Sequence, residues 1–336
     1  MLRIAINGFG RIGKSFLRTL IQPGRLDNKI KIIAINIGKA DIKTMAYMVK
    51  YDTIMGTYQG SVECRENTLI IDGHEITLFS ELDAQKLPWA ALKVDWVIEA
   101  SGHYACREKA VEHITSGAKK VLITAPSSDA DISIIMGVNE QEYKNQVIVS
   151  LGSCTSNALL PLLKIIDDYV TIEQAYFTAV HAYTNSQHLL DVDAQAKNIR
   201  SSRAAGLNMI PSSTGASEMI GVVLPGLKNK VSGVSIRVPV ADVSLLDLIY
   251  YSHKKSSQAE LLSVFNTASE GKFKNILTLS DEELVSCDYR GNPSSLIIDT
   301  ALVHVNNNSG KILAWYDNEW GYSQRIKDFL LYTLNV

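Results

Sequence analysis

The chain has 336 residues, 46% apolar and 20% charged, and a net charge of -2. This composition excludes a disordered chain, and the near-neutral balance gives no global field to draw it to nucleic acid or an anionic membrane. No apolar run reaches the roughly 20 residues needed to cross a bilayer, and the length suits two domains. The start, "MLRIAINGFGRIG", lacks a secretory apolar core and reads as a strand.

"LRIAING" is a short apolar strand, "GFGRIG" carries glycines at the GxGxxG spacing, and "RIGKSFLRTLI" places apolar residues at helical spacing. Gly8 would make a tight turn, Gly10 would let the backbone approach a pyrophosphate, and Gly13 would let the helix pack close to the strand. Arg11 and Ile12 complete the turn, where the helix N-terminus offers N–H groups and partial positive charge to an anion. A second strand, "IKIIAIN", follows. "DWVIEAS" and "KKVLITAP" read as further strands joined by a helical "REKAVEHITSGA", giving a doubly wound α/β sheet. Ser101, Gly102 and Thr124 fall at strand ends, where such sheets bind ligands. A dinucleotide site is expected; a ligand-free βα turn is the plainer reading.

NAD sites usually place an acid at the end of the second strand, on the ribose 2′-OH. Here Ile37 and Gly38 occupy that place and Lys39 follows. With no carboxylate to repel a 2′-phosphate, and with a lysine nearby, the pattern leans to NADP or to use of both cofactors. Alternatively Asp41 or backbone groups serve the ribose.

In the second half, "SLGSCTSNALLPLL" puts Cys154 before an apolar run with helical character. Cysteine is commonly a core residue, so packing competes with chemistry. His181 ends the strand-like "AYFTAV", and an imidazolium or a helix N-terminus beside a thiol lowers its pKa. Ser213, Thr214 and Gly215 in "PSSTGAS", Arg237 in "VSIRVP", and Ser153, Thr155 and Thr184 form a candidate phosphate-binding set. Turn chemistry and a surface ion pair are their plainer roles. Cys64, Cys106, Cys154 and Cys287 lie far apart without a CxxC pair. Reduced thiols in the cytoplasm are expected, with no disulfide framework and no metal site.

Taken together, "INGFGRIG", "KYDTIMG", "APSSDADISIIMGVNE", "SCTSN", "HAYTN", "IPSSTGA", "RVPVADVSLLDL" and "WYDNEWGYS" resemble the phosphorylating glyceraldehyde-3-phosphate dehydrogenase family, in its order and over nearly the whole chain. The resemblance implies a Rossmann-type NAD(P)-binding domain over residues 1–153 plus a C-terminal helix at 319–336. Residues 154–318 would form an α+β catalytic domain with a mixed or antiparallel sheet. It implies that Cys154 attacks the aldehyde and that His181 activates the thiol, then takes the hydroxyl proton as hydride leaves for the nicotinamide. Inorganic phosphate then releases the thioester. Thr184 and Arg237 would hold the substrate phosphate, and Ser153, Thr155, Thr214 and Gly215 the attacking one. Asn318 would orient the nicotinamide amide, with Tyr322 near its ring. A homotetramer is implied, with glyceraldehyde 3-phosphate and inorganic phosphate as partners.

Three departures stand out. "AINIGK" lacks the family's acid. Ser186 and Ser201 replace a common Asp and Arg, which removes a probable ion pair and leaves the phosphate sites less positive. The segment "DVDAQAKNIRSSRAAG" is about two residues longer than usual and lacks a proline. Two rival readings remain: an erythrose-4-phosphate dehydrogenase that uses water in place of phosphate, and a non-catalytic nucleotide-binding protein.

Overall fold

The computed structural model describes residues 1–22, 25–26, 28–193 and 199–336, with backbone alone at 22, 25 and 26. The chain forms two compact units. One comprises Met1–Ile134, Asn139–Gly152 and Ser323–Val336, the other Ile135–Val138 and Ser153–Tyr322.

The first unit is built on a nine-stranded sheet. Its order is Ile132–Ser133, Ile148–Ser150, Lys120–Ile123, Trp96–Glu99, Leu2–Asn7, Ile30–Asn36, His74–Phe79, Thr68–Ile71 and Val62–Arg65. The first seven pair parallel, and the last two are antiparallel at the edge. Parallel strands covered on both faces read as unbroken apolar runs; Ile4, Ala5 and Ile6 are fully buried. The chain moves to one side of Leu2–Asn7 with Ile30–Asn36 and to the other with Trp96–Glu99. The reversal in strand order therefore falls at Asn7, directly before the glycine turn, which is where such sheets open a ligand crevice. Helices Arg11–Leu20 and Arg107–Thr115 are the crossovers. Phe329 of the C-terminal helix Trp320–Tyr332 meets Trp96 edge-on at 5.7 Å, which anchors the end of the chain on this unit. The doubly wound, Rossmann-type sheet expected from the sequence is present.

The second unit holds a mixed seven-stranded sheet. Its order is Ile210–Ser212, Val231–Val238, Ile172–Ala182, Ser244–Ser252, Ser309–Tyr316, Leu296–Asn306 and Leu277–Ser280. One face buries Phe177, Leu246, Leu248 and Ile312 with apolar residues of helices Cys154–Val170, Ala216–Val223 and Gln258–Glu270. Residues alternate along Ser244–Ser252, so the opposite face presents Ile249 and Tyr251, beside Tyr176 and Val234 of the neighbouring strands, all exposed. The α+β expectation is met, with helices gathered on one side.

Candidate active site

In the first unit the glycine turn is shaped by close backbone approach. Gly8 has φ +94°, and a Cβ there would lie 2.3 Å from the Ser101 nitrogen. A Cβ on Gly13 would lie 2.4 Å from the Gly8 oxygen. Gly10 is the N-cap of Arg11–Leu20 and supplies no capping side chain. Arg11 pairs with Asp52 at 2.5 Å, which fixes the turn to the "KYDTIMG" segment. Burial pulls the Asp52 carboxyl up, but Arg11 and the Met55 and Ile54 N–H groups outweigh it and hold the group below its usual range. Ile12 is half-buried.

A cleft of about 710 Å³ opens over this turn, lined among others by Gly8, Gly10, Ile37, Lys39, Ser101 and Tyr104. Gly102, at φ +76°, and Thr124 are outside its lining. The Thr124 N–H and hydroxyl both donate to the Glu99 carbonyl, at 3.0 and 2.9 Å. At the end of the second strand the Ile37 N–H donates to Phe79 at 2.8 Å, Gly38 turns at φ +61°, and Lys39 is exposed. Asp41 caps the short helix Ile42–Thr44 by accepting from Lys43 at 3.0 Å. Glu81 turns its carboxylate onto the Leu82 and Asp83 N–H groups at 2.8 and 3.0 Å. Asp41 and Glu81 thus turn their carboxylates onto local backbone. The contact at Gly8, the uncapped helix start and the cleft together fit a dinucleotide.

In the second unit Ser153 caps helix Cys154–Val170, its hydroxyl accepting the Ser156 N–H at 3.1 Å. Cys154, the first helical residue, is half-buried, with its sulfur 3.4 Å from Nε2 of His181. His181 ends on strand Ile172–Ala182 opposite Arg237 on the parallel Val231–Val238. Nη1 of Arg237 is 2.7 Å from Nδ1 of His181 and 3.2 Å from the Ala182 oxygen, which itself lies 2.7 Å from Nδ1. The buried Nε of Arg237 meets no acceptor.

Burial pushes the Cys154 thiol up, and Arg237 and Thr155 offset this only in part. Burial, then Arg237, takes His181 down to about 4, against the Ala182 carbonyl. The sequence reading made His181 the base for the thiol, with an imidazolium or a helix N-terminus as alternative ways to lower the thiol pKa. In this structure the ring is neutral, because it shares a desolvated corner with a guanidinium.

The phosphate candidates divide. Thr155 turns its hydroxyl inward to the Tyr316 hydroxyl at 3.0 Å and is buried, and its N–H and hydroxyl also serve the Cys154 sulfur. Thr214 receives the Ala216 N–H at 3.2 Å, and Gly215 is the exposed N-cap of helix Ala216–Val223, beside helix Cys154–Val170. Ser213 is exposed. Thr184 is exposed and held by Gln187, whose Oε1 accepts its N–H at 2.7 Å and its hydroxyl at 3.1 Å, with Ser186 at 3.0 Å. Ser201 lies half-buried in the short helix Ile199–Ser202. The core of the lengthened segment, residues 194–198, falls outside the described residues. Its flanks are joined by Arg203 and Asp191 at 2.8 Å.

Asn318 is buried and accepts from Ser244 Oγ at 2.8 Å; Ser244 in turn receives the Ala182 N–H at 3.0 Å. Tyr322 is buried, its hydroxyl pushed well up by burial and by the neighbouring Cys154. The edge of the Tyr316 ring faces His181 at 5.9 Å. Sequence reasoning missed Ser244 and Tyr316. Their only signal was membership in two of the family-like words, "RVPVADVSLLDL" and "WYDNEWGYS".

A model of the glyceraldehyde 3-phosphate dehydrogenase NAD-binding domain matches residues 2–107, and one of the C-terminal domain matches residues 153–318. The chain is 42% identical over 333 residues to "Glyceraldehyde-3-phosphate dehydrogenase 2" of Bacillus subtilis, covering 98% of this chain and 96% of that protein. The chain belongs to the glyceraldehyde-3-phosphate dehydrogenase family. It is also 44% identical to "Glyceraldehyde-3-phosphate dehydrogenase B, chloroplastic" of Pisum sativum, over 97% of this chain and 73% of the other. With the glyceraldehyde-3-phosphate dehydrogenase of Colletotrichum lindemuthianum it shares 40% identity over 100% and 98% of the two chains. The family resemblance read from the sequence is borne out, and with it an NAD(P)-dependent oxidoreductase. No helix among the described residues is long and apolar enough to cross a membrane.

Proposed function

We propose that the protein catalyses the reversible oxidative phosphorylation of glyceraldehyde 3-phosphate, with Cys154 as nucleophile and His181 as its proton partner. The observation that carries the reading is the Cys154–His181 contact of 3.4 Å at a helix start, beside a buried Arg237 Nε without an acceptor. A sulfur nucleophile, a base and an unsatisfied cation together suit an aldehyde that carries a phosphate.

The proton path follows from the tautomer. When Nδ1–H donates to the Ala182 oxygen, the Nε2 lone pair faces the Cys154 sulfur and can take its proton as the sulfur attacks the aldehyde carbon. The Arg237 Nη1 favours the opposite tautomer by donating to Nδ1. A substrate phosphate that draws Arg237 away therefore frees Nε2 to act as base. Neutral imidazole is the competent form, so the low His181 pKa suits this role at neutral pH. The Cys154 N–H and Nε2–H are candidate donors to the thiohemiacetal oxygen. A bound dinucleotide would supply the hydride acceptor; Gly8, Gly10, Ser101 and the start of helix Arg11–Leu20 would hold it, and the family resemblance assigns Asn318 to the nicotinamide amide and Tyr322 to its surroundings. His181 takes the hydroxyl proton, and the thioester remains on Cys154. Attack by phosphate, bound by Ser153, Thr155, Thr214 and Gly215, breaks the carbon–sulfur bond and restores the thiol. Thr184 and Arg237 hold the substrate phosphate.

On this reading residues 1–153 with 319–336 bind the cofactor, and 154–318 carry the chemistry. The exposed Tyr176, Val234, Ile249 and Tyr251 face supports association of copies of this chain, for which the family resemblance implies a homotetramer. Four unpaired thiols suit the cytoplasm. The open second-strand end and Lys39 favour NADP alongside NAD.

A rapid-mixing experiment tests the reaction. Without phosphate, one NAD(P)H per site should form in a burst and an acyl group should be trapped on Cys154; phosphate should then restore turnover. Steady NAD(P)H production indifferent to phosphate, with free acid as product, would transfer the protein to the erythrose-4-phosphate type. Absence of any acyl-Cys154 would remove the covalent mechanism.

A further inference from the structure

Beneath the dinucleotide cleft of the first unit runs a line of buried polar side chains that no step above uses. Three adjacent parallel strands end in Asn36, Asn7 and Glu99, none more than 4% exposed. Asn36 Nδ2 donates to Asn7 Oδ1 at 2.7 Å, and Asn7 Nδ2 donates to Glu99 Oε2 at 2.6 Å. From the other direction, the indole N–H of Trp89 donates to Nδ1 of the fully buried His113 at 3.1 Å. An Nδ1 that accepts puts the ring proton on Nε2, which lies 3.2 Å from Glu99 Oε2. The remaining oxygen, Oε1, receives the Ser101 N–H at 2.7 Å and the Ser101 hydroxyl at 2.5 Å. Ser101 Oγ in turn accepts the His103 N–H at 3.1 Å. All these hydrogen bonds point towards one carboxylate. The backbone of Ser101 is what leaves no room for a side chain at Gly8.

We propose that Glu99 is a positioning residue for the dinucleotide: its carboxylate fixes Ser101 against the Gly8 turn and sets the floor of the cleft without touching the cofactor. The inference rests on the reading of this cleft as the NAD(P) site. The polarity of the network makes it specific for a carboxylate. Glutamine has the same shape, but its amide group must face either the two Ser101 donors or those of Asn7 and His113. His113 cannot reverse its tautomer without confronting the Trp89 N–H. A buried donor is then left unmet, or Ser101 moves. Glutamine at position 113, by contrast, can accept from Trp89 and donate to Glu99, so it preserves the polarity.

The test compares the full-length protein with Glu99→Gln and His113→Gln. Dissociation constants for NADH and NADPH are read by fluorescence, with KM and kcat for both substrates and thermal midpoints alongside. Glu99→Gln should weaken both dinucleotides by about tenfold or more and raise cofactor KM in step, with aldehyde KM and kcat at saturating cofactor within about twofold. His113→Gln should stay within about threefold of wild type throughout. Wild-type affinity in a folded Glu99→Gln protein would overturn the proposal. So would equal losses in cofactor affinity, aldehyde KM and kcat, or a His113→Gln defect as large as that of Glu99→Gln. Should Glu99→Gln fail to fold, Ser101→Ala removes two of the links at the loop alone, and unchanged dinucleotide binding there would equally overturn it. A wild-type protein that binds neither dinucleotide would instead refute the reading of the cleft.

Discussion

Replacing Asp242 by asparagine is expected to stabilise the protein, by an amount that grows as the pH rises from about 4, where the unfolded carboxyl ionises, to about 7. Asp242 is 1% exposed, and neither of its carboxylate oxygens meets a donor. The next residue, Val243, has a φ of +66°, strained for a β-branched residue. Asp317 and Glu319, both buried, are its charged neighbours. Asp317 already accepts the Gly291, Glu319 and Trp320 N–H groups at 2.8, 2.9 and 2.6 Å. Burial first, then the charges of Asp317 and Glu319, push Asp242 up to about 7. A carboxyl whose pKa is raised on folding holds a proton that the unfolded chain has released. The stability it contributes is intact below the unfolded value of about 4, is lost as the pH rises towards 7, and stays lost above that. Three pH units correspond to on the order of 4 kcal/mol. Asparagine is neutral throughout and can donate to Asp317, so the advantage of Asp242→Asn should be on the order of 1.5 kcal/mol at pH 5 and grow to about 4 kcal/mol by pH 8.5. At roughly 2 °C per kcal/mol for a chain of this size, the melting temperatures should separate by at least about 5 °C. Melts of both proteins at matched concentration across pH 5 to 8.5 provide the measurement. A difference that does not change with pH, or a destabilised variant at pH 8.5, would refute the reasoning.

Three further outcomes follow from the same geometry. Gly38→Asp should shift preference from NADP towards NAD by about tenfold, since a carboxylate at the strand end repels a 2′-phosphate; the left-handed turn tolerates Asp, and nothing lies within 4 Å of the added Cβ. Parallel assays with both cofactors check this, and an unchanged ratio counts against the strand-end argument. Gly8→Ala should abolish dinucleotide binding and lower the melting temperature, because its Cβ would fall within 2.6 Å of three backbone atoms of Ala100 and Ser101; retained NADH fluorescence titration would contradict it. Alkylation of Cys154 by iodoacetamide should climb with pH through a thiol pKa above the ordinary range, and Arg237→Leu should move that climb to still higher pH, since Arg237 is the largest influence lowering it. A climb displaced to lower pH would reverse the assignment.

The parts of the molecule that were legible in the sequence are those whose causes are local. Strand, glycine turn and helix at residues 2–20 are neighbours along the chain, so their spacing alone pointed to a dinucleotide site at the Gly8–Gly13 turn. Cys154 at a helix start was readable because Ser153 and the apolar run adjoin it. What escaped depends on partners brought together by folding. Thr155 was expected to offer its hydroxyl to phosphate, but Tyr316, 161 residues away, takes it. Asn7 and Glu99 meet across a separation of 92 residues, and neither residue type announces a cofactor contact when read alone. The charge state of His181 escaped for the same reason. Proximity to a cysteine was readable, but the sign of the ring's pKa shift is decided by burial and by Arg237 on the adjacent strand. Polar residues at the carboxyl ends of adjacent parallel strands, as at Asn7, Asn36 and Glu99, are therefore a sequence signal in their own right. In a sheet that buries both faces, such residues must satisfy one another, and the crevice above inherits whatever rigidity they provide.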